Sequence, residues 1–123
     1  MSAPTHEDAI VLLKLFELSG TPDMVKAGRF VYSGDFINDY DAFRKKYPPP
    51  SDEEDLVFAF AAFFELAGTL WKNKLINEAL LFDWIWVPYR WNRVDKFLLG
   101  FREMVGNKAM FENFEALAKA SPT

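Results

Sequence analysis

The chain has 123 residues, half of them hydrophobic and 17% aromatic, which suits one domain with its own core and leaves little room for two. It has no cysteine, which excludes disulfides and thiolate metal sites and fits a location in the reducing cytoplasm. A formal net charge of −4 with dispersed basic residues argues against nucleic acid as a partner, because neutralising phosphates needs clustered Lys and Arg.

The start, Met1 to Asp8, is polar and lacks the basic and apolar regions of a secretion signal. Thr5 and Asp8 stand at capping-box spacing before an amphipathic helix whose inner side is read as Ala9, Leu12, Leu13 and Phe16, ending at Gly20. Thr21-Pro22-Asp23 restarts a helix at once, with Thr as cap, Pro in the first turn and an acid at the positive end. Met24, Ala27, Gly28 and Val31 form its inner stripe, and the small pair Ala27 and Gly28 should admit a close neighbour. Gly34 stops that helix, Asp35 is the expected cap of a third, and Phe36, Tyr40, Phe43 and Tyr47 make one aromatic seam. Arg44-Lys45-Lys46 closes it, where cations complement the helix dipole.

Pro48-Pro49-Pro50 removes three backbone donors and reads as a spacer inside a single helical domain spanning 1–123. Ser51 with Glu54 gives a good capping box for a central apolar helix over about 52–72. The apolar run Leu56 to Trp71 is interrupted by Glu65 and is too short for a membrane span of about 20 residues. Asn77 caps the next helix. Pro88 falls inside its pattern, where it should kink the helix or begin another, so a Pro-kinked helix over about 77–105 is expected. Gly106 stops it, and Asn107 is read as opening a last helix with Met110, Phe114 and Leu117 inside. Nothing alternates with period two over a useful length. The expectation is an all-α fold, an orthogonal bundle of five to six helices.

Two carboxylates sit in the greasiest stretches: Glu65 within Ala61–Ala67, and Asp83 within Leu80–Trp86. A carboxylate there must be paired, hydrogen-bonded or protonated, because burying it alone is very costly. Arg102 is the candidate partner of Glu65, with Arg29 and Arg90 as alternatives. The main reading is an ion pair that fixes helix register. On that reading Glu65→Ala, by stranding a buried arginine, costs about 3–5 kcal/mol. The competing reading is a ligand pocket, or an acid–base site, near Glu65, Asp83 and Arg102.

Metal and nucleophile chemistry have little support. A di-iron bundle wants Glu-x-x-His on two helices, and the one histidine, His6, lies near the start. Glu112 and Glu115 resemble one half of the paired acidic motifs of helical nucleotide pyrophosphatases, but no second pair follows, so a solvated helix face is expected. No serine stands in a Gly-x-Ser-x-Gly turn, and the glycines are scattered singly rather than in a phosphate-cradling loop. No catalytic residue, metal or cofactor is therefore expected.

The most unusual local feature is Trp84, Trp86, Tyr89 and Trp91 interleaved with Arg90 and Arg93. Such residues stack bases, sit at membrane interfaces, fill cores, or serve as hot spots for protein partners, in which Trp, Tyr and Arg are enriched. The expected function is a non-catalytic interaction or regulatory module that works through this region, its partner another protein or a second copy of itself. The alternative is a small-ligand binder or, with less support, a metal-dependent hydrolase.

The segment Phe63-Phe64-Glu65-Leu66-Ala67-Gly68-Thr69-Leu70 is followed by Leu75-Ile76, an acid-containing Trp helix, Arg102-Glu103 and Phe114-Glu115-Ala116-Leu117-Ala118. This order resembles a family of small prokaryotic helical domains to which no activity is assigned. The likeness covers roughly residues 56–119 and, more weakly, Thr21 to Tyr32. It implies the helical fold and an interior role for Glu65 and Arg102, and it implies no substrate. Pro88 departs from the family's unbroken helix at that point.

Overall fold

Side-chain caps set most of the helix starts. In the computed structural model, which describes residues 3–122, the helices are α1 (His6–Ser19), α2 (Pro22–Val31), α3 (Tyr40–Lys46), α4 (Asp52–Lys72), α5 (Glu78–Trp84), α6 (Val87–Val105) and α7 (Glu112–Ala120). The described residues contain no strand, and none of these helices is long and apolar enough to cross a membrane. The hydroxyls of Thr5, Thr21 and Ser51 and the amide oxygen of Asn77 each accept from a backbone N–H three residues on. Asp8 does more. Its carboxylate accepts from Thr5 N–H and from Asn77 N–H, both at 2.8 Å, so one side chain anchors the starts of α1 and α5. Those bonds, Thr5's first, hold its carboxyl below the ordinary value.

The structure corrects several expectations. The described residues form seven helices, not five or six, because the segment read as one Pro-kinked helix is two. Ile85 is extended between α5 and α6, and Pro88 falls in the first turn of α6, where its missing N–H costs nothing. The cap of α3 is Asp39, which accepts from Ala42 N–H at 2.8 Å, rather than Asp35. Asn38 beside it is tied to α6 through Asp95 and Phe97 N–H, which carries the chain on past Asp35 before it coils. The last helix begins at Glu112, not Asn107. Gly106 takes the left-handed conformation, and so does Phe111, φ 59°, whose backbone turns the chain into α7 without a side-chain cap. The strain of that conformation, roughly 1–2 kcal/mol, is offset by the seating of the Phe111 ring against Phe58 and Phe101. Finally, α1 buries Leu15 and half-buries Val11 and Leu12, while Leu13 and Phe16 are each 60% exposed. Both faces of α1 are apolar, so its periodicity does not choose between them.

A single buried cluster draws residues from every helix, with Phe43, Phe97 and Phe114 wholly enclosed. Burying each is worth about 1.5–3 kcal/mol. Helix α4 is the hub: it packs most extensively on α2 and α7, and also touches α1 and α6. The small residue that admits a neighbour is Gly68 of α4, where a Cβ would fall on the backbone carbonyl of Asn113 in α7. Gly28, expected in that role, has nothing within 4 Å of where its Cβ would stand.

Candidate functional site

The acids that were the first candidates serve the backbone. Glu65, half-buried on α4, accepts from Phe114 N–H at 2.9 Å, so it supplies the capping oxygen that Phe111 lacks. Arg102 does not pair with Glu65. Its Nε donates to Met110 O at 3.0 Å, and a terminal nitrogen pairs with Glu115 at 2.9 Å. Glu65 and Arg102 therefore grip the start of α7 from two helices. Burial raises the Glu115 carboxyl, but hydrogen bonds from Arg102 and Lys119 outweigh it and hold the group below its ordinary value. Asp83, expected inside, is exposed on α5 and lines a surface concavity of about 650 Å³ with Glu78, Phe82 and Pro122, which includes neither Glu65 nor Arg102. The three do not form one pocket. Among the described residues, no group of three or more His, Asp or Glu is placed to hold a metal ion.

The Trp and Arg residues divide by role. Trp91 is buried, edge-on against Phe114 at 5.0 Å, and belongs to the core. Arg93 also turns inward: its guanidinium donates to Val31 O (2.6 Å) and Ser33 O (2.9 Å), closing the carbonyl end of α2. Trp86 and Tyr89 remain outside, 55% and 48% exposed, with rings stacked at 5.1 Å and 16°. Tyr89 stacks in turn on Tyr32 of α2 at 5.6 Å and 7°. Arg90 donates to the Tyr32 hydroxyl at 3.0 Å and lies near the faces of both tyrosines. Burial pushes the Tyr32 phenol up, against the lowering pull of Arg90, so it stays neutral with a proton to donate. The result is a three-ring stack braced by Arg90, with Trp86 and Tyr89 about half exposed.

Beside this stack runs a cleft of about 350 Å³ between α2, α4 and the α5–α6 link. Its floor is Phe60, Phe63 and Phe64 of α4, all nearly buried. Trp84 and Ile85 form one wall, and Gly28 leaves the α2 wall hollow. Arg29, Tyr32 and Arg90 supply the polar rim, and no acid lines it. Tyr32 was not a site candidate from the sequence, Arg29 was read only as an alternative partner of Glu65, and Gly28 only as a helix-packing residue. The signal available was Gly28 and Tyr32 four residues apart on one face of α2, one turn above the other.

A family model described as a domain of unknown function (DUF4760) matches residues 4–121, so the likeness noted for 56–119 extends over nearly the whole chain. No curated protein and no solved structure matches it.

Proposed function

The chain belongs to the DUF4760 domain family, and on that premise we propose that it is a non-catalytic protein-interaction module whose working surface is the Trp86–Tyr89 face. The observation that carries this reading is the braced stack of Trp86 and Tyr89 on Tyr32. An exposed aromatic pair normally loses side-chain freedom when a partner covers it. Here Tyr32 and Arg90 already hold the rings, so little ordering remains to be done on binding. Large, rigid, half-exposed aromatics beside arginine are the residues that dominate interface energetics. Further support comes from the carboxylates: Asp8, Glu65 and Glu115 are engaged in helix capping or ion pairing rather than aimed into the cleft.

The partner is another protein or a second copy of the chain. A benzophenone amino acid at Asn92, which borders Tyr89 and Arg93, should give one discrete photo-adduct in cells, identified by mass spectrometry, and Trp86→Ala should abolish it. The control probe goes at Lys108, beyond the far end of α6, whose last residue Val105 lies about 24 Å from Tyr89 along the helix axis. Equal adducts from both positions, or an Asn92 adduct that survives Trp86→Ala, would sink the assignment.

A further inference from the structure

We propose that the cleft beside the aromatic stack binds a small amphiphile, an apolar body carrying one carboxylate, held by Arg29, Tyr32 and Arg90. Three observations point there. The first is chemical polarity: the floor is phenylalanine, the rim is cationic, and no carboxylate lines the cleft although the chain as a whole carries −4. An apolar ligand with an anionic head meets both surfaces, and a neutral one leaves the arginines unanswered.

The second is unused donors. None of the ion pairs among the described residues involves Arg29 or Arg90. Arg90 spends one nitrogen on the Tyr32 hydroxyl, and its Nε is closed off from solvent without an acceptor. Arg102, by comparison, meets both a carboxylate and a carbonyl, though one of its terminal nitrogens is likewise buried without an acceptor. A planar carboxylate matches the guanidinium fork, and Tyr32 retains a hydroxyl proton to donate to it. Ser19 also lines the cleft, but its hydroxyl proton is committed to Phe16 O at 2.6 Å.

The third is Gly28. Glycine inside a helix is destabilising relative to alanine, and here no close packing or left-handed backbone demands it, because a Cβ would meet nothing within 4 Å. What its missing side chain keeps open is the cleft. At about 350 Å³ the space falls at the small end of ordinary ligand pockets.

The test is calorimetric titration of the full chain with decanoate below its micellar concentration. One equivalent should bind, and 1-decanol, with the same chain and no charge, should bind at least about ten-fold more weakly. Arg90→Met should weaken decanoate by a similar factor. Gly28→Leu should abolish binding by filling the hollow, while Gly28→Ala, with less bulk, should raise the melting temperature by about 2–6 °C. A folded Gly28→Leu that binds decanoate like the wild type overturns the proposal, as does decanol binding equally well or a wild-type chain that binds neither. Tyr32 and Arg90 serve both sites, but the Asn92 photo-adduct is a separate readout, so failure of the cleft proposal is distinguishable from failure of the aromatic-face reading.

Discussion

Gly68→Ala should lower the stability of the domain by about 3 kcal/mol, the upper part of the overpacking range, and its melting temperature by about 10 °C. The reason is the nature of the obstacle. The new Cβ would land on the Asn113 carbonyl and its carbon, which are backbone and cannot rotate aside. Relief requires α7 to move away from α4, and that junction holds the Phe64–Phe114 ring stack at 5.0 Å and the Asn113–Thr69 hydrogen bond at 3.2 Å. Moving one methyl's width opens both and loosens the bond that Phe114 N–H donates to Glu65. Equilibrium urea unfolding of both proteins measures the difference. A Gly68→Ala midpoint within error of the wild type would show that α4 and α7 do not approach this closely.

The contrast between Gly68 and Gly28 shows where a single sequence is legible and where it is not. Both glycines lie inside helices in apolar surroundings, and the pair Ala27-Gly28 looks as suited to close approach as Ala67-Gly68. Only the position of a second helix distinguishes them, and that information is not local. Helix starts were readable where the cap and the amide it serves lie three residues apart, as at Thr5, Thr21, Ser51 and Asn77, and α4 occupies the expected 52–72. They were not readable at α7. No Ser, Thr, Asp or Asn stands just before Glu112, and the capping oxygen comes from Glu65 on another helix. The same holds for the candidate site. Spacing marks Trp84 to Arg93 as unusual, but it cannot say that Trp91 and Arg93 turn inward while Trp86 and Tyr89 stay out. That division is made by α2, whose last carbonyls take Arg93 and whose Tyr32 receives Tyr89.

The grip on α7 carries the other large effect. Since Glu65 does not hold Arg102, Glu65→Ala strands no arginine, and the expected loss falls from 3–5 to about 1.5–3 kcal/mol, the worth of a hydrogen bond to a charged group. Glu65→Gln keeps an acceptor oxygen and gives up only the charge at the helix start, a cost of about 1 kcal/mol. Arg102→Met is the more damaging change, at about 2–3 kcal/mol. It removes the Met110 bond and leaves Glu115, 22% exposed, with Lys119 alone. Its pH dependence follows from sign. Glu115 has a folded-state value below its ordinary one, so its contribution is full above the ordinary carboxylate range and is lost as pH falls through the folded value. The gap between wild type and Arg102→Met should therefore narrow as pH drops from about 7 to about 3, without closing, because the Met110 bond does not titrate. If both side chains secure the same turn, releasing it once leaves less to lose the second time. The double variant Glu65→Ala with Arg102→Met should then cost less than the sum of the single ones, by about 1 kcal/mol. Strict additivity would mean that the two residues stabilise separate features, and that α7 keeps its start with either one removed.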